Sequence, residues 1–235
     1  LQMPGLDPSL IADLPSFSGL ERRELETLLG YAQPLRFSEG ATVFAQGHEA
    51  ESFYVLLDGH IRVVRSTPEG QQVIVRYISV GELFGIAAAL GRSTYPASAV
   101  AAAECVALAW PNAKWDELTA RFPSLGANTY KTVGGRLQDA HTRVVEMSTE
   151  QVEQRVAHAL LRLVKQTGRK TAEGVEIDFP ITRQDIAEMT GATLHTVSRV
   201  LQAWEKDGIV RGGRKRVVVI SPHRLLLKAE ARKES

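Results

Sequence analysis

The sequence contains a single cysteine, Cys105, among 235 residues. One thiol excludes an intramolecular disulfide, a four-cysteine iron–sulfur cluster and a cysteine-based zinc site within one chain. No segment approaches the roughly 18 consecutive apolar residues of a membrane span, and the most apolar stretch, 97–110, holds Ser98 and Glu104. The N-terminal residues lack the basic and then apolar segments of an export signal. These absences predict a cytoplasmic protein that does not enter a membrane.

Basic and acidic residues nearly balance, with a formal net charge of +1, but they are unevenly distributed along the chain. Residues 1–148 carry 12 basic and 16 acidic side chains, whereas residues 149–235 carry 16 basic and 11 acidic ones. The net charge therefore changes from −4 in the first part to +5 in the second. This asymmetry favours a polyanionic partner, such as a nucleic acid, for the second part.

Residues 34–110 contain short runs of β-branched and aromatic residues that alternate with turn residues. The Asp58-Gly59 and Glu69-Gly70 pairs are typical of β-hairpin turns. Evenly spaced strands of this kind predict an antiparallel roll or barrel.

A heptad-like stripe of apolar residues follows Pro123. Its members are separated alternately by three and four residues, and they are Tyr130, Val133, Leu137, Ala140, Val144 and Met147. This spacing is typical of two helices that pack side by side, so the stripe predicts a dimer interface. Packing of the helix on its own domain is the alternative. Gly134 and Gly135 favour the dimer: each costs a helix about 1 kcal/mol relative to alanine, and close approach of a second backbone would explain both.

Two short helices separated by Gly191 are predicted in ITRQDIAEMTGATLHTVSRVLQAWEKDGIVR, residues 181–211. Thr182 can cap the first helix, and the second helix ends at Gly208. One face of the second helix is apolar and predicted to be buried, with Leu194, Val197, Leu201 and Trp204. The opposite face is polar. This is the pattern of a helix-turn-helix, whose second helix enters the major groove of DNA.

The candidate DNA contacts lie in three places. Backbone amides at the start of the first helix can hold a phosphate, the polar face of the second helix can read bases, and basic residues can form the tip of a hairpin wing between 208–211 and 217–220. The candidates are Thr182, Arg183, Gln184, Thr193, His195, Thr196, Ser198, Arg199, Gln202, Arg214 and Lys215. Arg199 is the candidate for a guanine, because arginine can bind guanine O6 and N7 with two hydrogen bonds.

The chain resembles the CRP/FNR superfamily of bacterial transcription regulators. The resemblance rests on FSEGATVFAQGHEAESFYVLLDGHIRVV from Phe37, on GELFGI from Gly81, on the long helix and on the helix-turn-helix segment. It implies an α+β fold with a cyclic-nucleotide-type β-roll over 1–123, a dimerisation helix and hinge over 124–148, and a C-terminal winged helix-turn-helix over 149–235. It further implies a homodimer, with double-stranded DNA and RNA polymerase as partners.

In cAMP-binding members, a phosphate cassette carries a glutamate for the ribose and an arginine-serine pair for the phosphate. When GELFGI is aligned with the start of this cassette, Ile86 stands at the glutamate and Pro96 and Ala97 stand at the arginine and serine. A buried phosphate without its arginine lacks the charge-assisted hydrogen bonds that offset its desolvation. A signal other than cAMP is therefore expected. The alternatives are a shifted cassette that uses Arg92 and Ser93, and a regulator that needs no ligand.

The effector-pocket candidates implied by the resemblance are Gly81, Glu82, Ile86, Tyr95, Pro96, Ala97, His141 and Thr142. TYPASAVA and TLHTVSRVLQAWE are similar to the cluster-free subgroup linked to nitric oxide and denitrification, some members of which use haem. Haem is therefore a candidate cofactor, with His141, His48 and His60 as candidate ligands. Each of these histidines is equally explained as a surface or hydrogen-bonded residue.

Members with serine and arginine at the positions of Ser198 and Arg199 favour TTG half-sites, so the resemblance implies a palindrome of TTG, about eight base pairs and CAA. Many members have glutamate where this chain has His195. Glutamate accepts a hydrogen bond from cytosine N4, whereas a neutral histidine can accept or donate one. The base pair after TTG is therefore expected to be less strictly specified.

Two other classes of function account for the sequence less well. A metal-dependent enzyme on a β-barrel needs a tight cluster of histidines and carboxylates, but the six histidines include no H-x-H motif and only two lie in the roll. A regulatory module of a separate enzyme would not explain the helix-turn-helix or the basic second part. The sequence therefore predicts a DNA-binding regulator rather than an enzyme.

Overall fold

The computed structural model describes residues 6–231. The chain divides into two compact units, Leu1–Ser66 with Tyr77–Asp139, and Thr67–Arg76 with Ala140–Ser235. Within the described residues, no helix is both long enough and apolar enough to cross a membrane.

The first unit is rich in strands. The main elements between residues 22 and 121 are, in order, α1 (Arg22–Leu29), β1 (Gln33–Phe37), β2 (Thr42–Phe44), β3 (Ser52–Asp58), β4 (Ile61–Ser66), β5 (Gln72–Ile78), β6 (Leu83–Phe84), β7 (Ser98–Ala101), β8 (Cys105–Pro111) and α2 (Trp115–Arg121). Residues 72–76 of β5 are counted with the second unit. Short 3-10 helices lie at Pro8–Leu10, Pro15–Phe17, Ala88–Leu90 and Asn112–Lys114. The strands form two sheets, in the orders β1-β8-β3-β6 and β2-β7-β4-β5, with antiparallel pairing along β8 and β7. The roll predicted from the sequence is confirmed.

The Asp58-Gly59 turn does not form the hairpin that the sequence predicts. It connects two sheets, because β3 belongs to the first sheet and β4 to the second. Both edges of β3 are already paired, one with β8 and the other with β6, so β4 has no free edge beside it. The turn at Glu69-Gly70, by contrast, joins β4 and β5, which are neighbours in the second sheet.

Two apolar clusters fill the roll, and β3 contributes side chains to both of them. Phe53 and Val55 face a cluster that includes residues of α1 and α2, and Tyr54 and Leu56 face a cluster between the two sheets. This alternation follows from the period of two in a strand. The indole of Trp110 completes the first cluster, stacking on Phe53 with ring centroids 5.5 Å apart.

Helix α3, Pro123–Thr149, is 27 residues long and exposes most of the predicted stripe. Tyr130 is 68% exposed, Leu137 56% and Val144 63%. Val133 differs, because it packs against the apolar cluster that contains α1 and α2. The early part of α3 therefore packs on its own unit, which is the alternative given above for this helix. Much of the stripe is left exposed.

The second unit contains the predicted C-terminal helices and a small sheet. Its elements are α4 (Val152–Thr167), β9 (Gly168–Lys170), β10 (Val175–Ile177), α5 (Arg183–Thr190), α6 (Leu194–Lys206), β11 (Val210–Gly213), β12 (Arg216–Val219) and α7 (Pro222–Glu230). The sheet has the order β11-β12-β10-β9. Strands β9 and β10 were not predicted from the sequence, since three residues are too few for a strand period to show.

The end of α3 is attached to α4. Glu146 is 7% exposed, and its carboxylate accepts hydrogen bonds from Arg162 Nη1 at 2.6 and 2.8 Å. Helix α3 continues to Thr149, just past the hinge expected at 148, and Gln151 then begins α4 with its backbone N–H bonded to Gln154 Oε1 at 3.0 Å. The last turns of α3 thus make their contacts with the other helices of the second unit.

Gly59→Ala is expected to destabilise the protein more than Gly40→Ala. Both glycines have positive φ, 85° and 83°, so either alanine bears a left-handed strain of about 1–2 kcal/mol. A Cβ at Gly59 would also collide with the Glu104 carbonyl oxygen and the Cys105 sulfur, whereas nothing lies within 4 Å of one at Gly40. Urea unfolding should show an additional loss of about 2 kcal/mol or more at Gly59. Equal losses would contradict the importance of this close approach.

Candidate nucleic-acid interface and sensor cavity

Helices α5 and α6 are joined by a tight turn at Gly191. This glycine has φ 60° and ψ 33°, the left-handed conformation that ends α5. Thr182 begins α5: its hydroxyl accepts from Asp185 N at 3.1 Å, and Asp185 Oδ2 accepts from Thr182 N at 2.7 Å. Thr193 begins α6 and accepts from Thr196 N at 3.1 Å. The predicted helix-turn-helix is present, and Thr182 caps α5 as predicted. The cap at Thr193 was not predicted from the sequence.

Helix α6 buries Val197, Leu201 and Trp204, which are 0%, 2% and 1% exposed. Leu194 was predicted on the same buried face, but it is 47% exposed. It is the first residue of the helix and lies beyond the end of the packed core. On the polar face, His195, Arg199 and Gln202 are exposed, and Thr196 and Ser198 are half-buried.

Helix α6 and the turns at its two ends are held by contacts with three other helices. Trp204 Nε1 donates to Glu153 of α4 at 3.0 Å, and Arg224 of α7 donates to the Asp207 carbonyl at 2.7 Å. Met147 of α3 lies against the turn before α6, where a Cβ on the turn glycine would meet its Cε at 2.6 Å. The polar face is therefore presented on a fixed support.

The phosphate candidates at the start of α5 have partners within the chain. The Thr182 hydroxyl donates to Asp185 Oδ2 at 2.6 Å. Arg183 Nη2 lies 3.2 Å from Glu205 Oε1 of α6, and Gln184 donates to the glutamate one turn later at 3.0 Å. A phosphate contact through the Thr182 hydroxyl would have to replace its bond to Asp185, whereas the Gln184 side chain is already at the surface.

Strands β11 and β12 form the predicted wing, with Arg214 and Lys215 as its two-residue tip. The tip joins the paired residues Gly213 and Arg216 and is exposed. Lys215 has φ 55°, and its carbonyl accepts from Ile181 N at 3.1 Å. This bond ties the wing to the segment before α5, so the basic tip is both accessible and positioned.

Arg216, beside the tip, is engaged by acidic side chains. Its Nε and Nη2 donate to the Glu176 carboxylate at 2.7 and 3.0 Å. These hydrogen bonds, reinforced by the opposite charges, lower the pKa of Glu176 and raise the pKa of Arg216. Arg211 Nη1 also lies 2.6 Å from Glu173 Oε1. The base of the wing is therefore a neutralised network, and the basic side chains of Arg214 and Lys215 are exposed at its tip.

The residues aligned with the phosphate-binding positions do not form a charged site. Ile86 is 5% exposed and belongs to the apolar cluster of Phe53 and Trp110. Ala97 is buried, and Pro96 is at the surface. The three substituted positions therefore offer no charged or hydrogen-bonding side chain to a phosphate.

Arg136 of α3 contacts the turn that begins the cassette. It donates to the Leu83 carbonyl, and its Nη2 lies 3.6 Å from Glu82 Oε2. Gly81, with φ 86°, forms the preceding turn, and its carbonyl accepts from the Ser16 hydroxyl at 3.2 Å. The Arg136 side chain thus links this turn to α3.

A cavity of about 340 Å³ opens in the roll beside Tyr95. It is lined by Val43, Phe44, Ala45, His48, Glu49, Glu51, Tyr54 and Tyr95. Tyr95 stacks on Phe44 with ring centroids 3.9 Å apart, and its hydroxyl donates to the Ser52 carbonyl at 2.7 Å. Burial raises the pKa of Tyr95, so the phenol stays protonated. Most of this wall was not predicted from the sequence, because the GHEAE segment, residues 47–51, indicates only a turn.

Glu49 and Glu51 are the charged residues among those that line the cavity, and His48 is the histidine there. Two carboxylates oppose the entry of an anionic phosphate. They would oppose the propionates of a haem for the same reason, so this lining does not fit haem although His48 is a candidate ligand. Within residues 6–231, no group of three or more His, Cys, Asp or Glu side chains is placed to hold a metal ion.

The remaining effector and ligand candidates are not among the residues that line the cavity. His60 is half-buried, and its carbonyl accepts a hydrogen bond from Cys105 Sγ at 3.2 Å. His141 and Thr142 are exposed on α3 and belong to the second unit. Of the predicted candidates, Tyr95 and His48 thus share the cavity.

Comparison with known proteins agrees with this architecture. A cyclic nucleotide-binding domain model matches residues 34–122, and a Crp-like helix-turn-helix domain model matches residues 154–227. The chain is 32% identical over 199 residues to the cyclic AMP receptor protein of Thermus thermophilus, covering 85% of this chain and 89% of that protein. It is 24% identical over 220 residues to the CRP-like cAMP-activated global transcriptional regulator of Mycobacterium tuberculosis, covering 94% and 98%.

The fold also matches solved structures. FixK2 from Bradyrhizobium japonicum superposes with a TM-score of 0.75 at 21% identity, covering 86% of this chain and 98% of that one. The curated relatives are a receptor protein and a transcriptional regulator, not enzymes. With a sensor-type roll, a long helix and a winged helix-turn-helix in this order, the chain belongs to the CRP/FNR family of DNA-binding transcription regulators.

Proposed function

We propose that this regulator acts as a homodimer on a TTG-type palindrome and that its β-roll senses a signal other than cAMP. The observation that carries the DNA-binding part is the exposed polar face of α6, where His195, Arg199 and Gln202 stand on a helix held by its neighbours. Side chains near the start of such a helix reach base edges, while a wing contacts the DNA backbone. RNA polymerase is the partner expected of a transcription regulator.

Arg199→Ala is expected to weaken binding to the TTG palindrome by about 1–3 kcal/mol and to leave binding to unrelated DNA nearly unchanged. The reason is that Arg199 is exposed on the reading face and can hold a guanine with two hydrogen bonds. Fluorescence anisotropy on both duplexes at one fixed salt concentration measures the two losses.

Arg214→Ala at the wing tip is the matched control, because a phosphate contact carries no sequence information. It should weaken both duplexes to a similar extent and reduce the salt dependence of binding. If Arg199→Ala behaved in the same way, Arg199 would be a phosphate contact, and its proposed role as a base reader would be wrong.

The homodimer is supported by the apolar stripe of α3. Tyr130, Leu137 and Val144 recur every seven residues and are all more than half exposed. Contiguous apolar surface of this kind is unusual on a monomer, and heptad spacing suits a second copy of the same helix. A two-fold dimer also matches a palindromic site.

Leu137→Asp is expected to convert the dimer to a monomer, since it places a charge in the proposed helix seam. Sedimentation equilibrium measures the mass, and anisotropy on the palindrome should show a parallel loss of affinity. Val145→Asp is the control: Val145 is 59% exposed on the same helix but lies outside the stripe. Dissociation by both substitutions, or by neither, would contradict the proposed seam.

The proposal of a signal other than cAMP is supported by two features of the roll. Ile86, Pro96 and Ala97 replace the groups that would bind ribose and phosphate, and Ile86 is part of the core. The cavity beside Tyr95 carries carboxylates at Glu49 and Glu51. Both features disfavour an anionic ligand in this unit.

Titration calorimetry with cAMP is therefore expected to show no saturable binding. Saturable binding that disappears in Arg92→Ala would establish the shifted cassette instead.

Nitric oxide sensing through haem is tested by adding haem to the protein in an absorption titration. Weak uptake of haem without saturation is expected. A stoichiometric Soret band that is lost in His48→Ala would overturn the electrostatic argument from the cavity lining. Tight palindrome binding with no effector added would favour the ligand-independent alternative.

A further inference from the structure

The cavity beside Tyr95 has an aromatic wall. Phe44, Tyr54 and Tyr95 belong to its lining, and the ring centroid of Phe44 lies 3.9 Å from that of Tyr95 and 5.8 Å from that of Tyr54, in stacked arrangements. The Tyr95 hydroxyl donates to the Ser52 carbonyl at 2.7 Å and accepts from the Ser52 N–H at 3.1 Å. Because this hydroxyl is bonded to the backbone, the wall is held in place and offers apolar surface to an incoming molecule.

The segment that carries the carboxylates of the cavity, residues 47–51, is bonded to its surroundings at both ends. Gly47 N donates to the Tyr95 carbonyl at 2.8 Å, and the Glu51 carbonyl accepts from Asn112 N at 2.7 Å. Asn112 is 8% exposed, and its Nδ2 donates to the carbonyl of the residue before Glu51 at 2.8 Å. The backbone beneath the carboxylates is therefore fixed beside the aromatic wall before any ligand arrives, which lowers the ordering cost of binding.

The charge of the cavity lining is negative. Glu49 and Glu51 are exposed, and the lining contains no lysine or arginine. Within residues 6–231, the ion pairs do not include either carboxylate. These two charges are therefore not compensated by a basic side chain of the described chain, and they attract a cation.

The two halves of the lining together define a class of ligand. The volume of about 340 Å³ lies within the range of about 300–1,000 Å³ that is usual for small-molecule sites. A neutral apolar molecule would cover the rings but would take water from the carboxylates without replacing it. A simple metal ion would leave the rings unused. An organic cation satisfies both halves, with its charge at the carboxylates and its apolar body on the rings.

We propose that the cavity beside Tyr95 is a binding site for a small organic cation, an amine or quaternary ammonium with an apolar or aromatic body. This inference rests on the proposed function in taking the roll as a sensor. It goes further, because the proposed function excludes cAMP but assigns no ligand class. The carboxylates that oppose an anion in this cavity are the groups that select the cation.

The test separates the charge of the ligand from its apolar body. Phenethylamine, which is cationic at neutral pH, is titrated into the full chain by calorimetry. Three related probes follow: 2-phenylethanol keeps the ring without the charge, ethylamine keeps the charge without the ring, and 3-phenylpropionate carries the opposite charge. Glu49→Gln and Glu51→Gln remove one charge each while preserving side-chain size. Glu104→Gln is the matched control, because Glu104 is exposed in the first unit but does not line the cavity.

Phenethylamine is expected to bind saturably, and 2-phenylethanol and ethylamine should each bind about fivefold or more weakly than it does. The anion 3-phenylpropionate should show no saturable binding. Glu49→Gln and Glu51→Gln should each weaken phenethylamine binding about two- to fivefold, and added salt should weaken it further. Glu104→Gln should bind as the wild-type protein does. Thermal unfolding of the three variants should be nearly unchanged, since all three carboxylates are exposed.

Three results would overturn the inference: no saturable binding of phenethylamine, equal binding of phenethylamine and 2-phenylethanol, or binding that neither Glu49→Gln nor Glu51→Gln weakens. None of these results bears on palindrome binding or on the exclusion of cAMP. Conversely, saturable cAMP binding by a protein that still binds phenethylamine would overturn the proposed signal and would support a separate cation site. The two failures are therefore distinguishable.

Discussion

The orientation of helix α6 depends on the burial of one indole. Trp204 is 1% exposed, and its Nε1 donates to Glu153 at 3.0 Å, which satisfies the one polar group of the ring inside the unit. Glu153 also lies 3.4 Å from Lys228 Nζ of α7. One carboxylate thus joins α4, α6 and α7. Because this side of α6 is packed and bonded, its opposite face is presented to solvent in a defined orientation.

The turn before α6 is constrained as closely as the helix itself. Gly191 has positive φ, which favours glycine, and Met147 of α3 occupies the space that a Cβ would need. The buried pair of Glu146 and Arg162 holds the same end of α3 on α4. A displacement of the last turns of α3 would therefore act directly on the support of helix α6.

Charge is used differently in the two units. In the wing, hydrogen-bonded ion pairs such as Arg216 with Glu176 cancel charge at the base of the hairpin, and the tip residues Arg214 and Lys215 are left accessible. In the roll, Arg136 is directed to the backbone and carboxylate of the turn that begins the cassette, while Ile86 belongs to the core. The net charge of each part of the sequence indicates the class of partner. The ion pairs within each unit decide which basic side chains are already bound by carboxylates.

The sequence by itself determined the elements whose signals are local. The helix-turn-helix, its Thr182 cap and its Gly191 turn follow from spacings of three and four residues and from backbone preference. The roll follows similarly from short strand runs and turn glycines. What only the tertiary structure decided depends on partners distant in the chain. The cavity wall joins segment 43–54 to Tyr95, and Leu194 is exposed because the core ends before it. A sequence pattern within one helix indicates the face on which a residue lies. It does not show how far along that face the neighbouring elements pack.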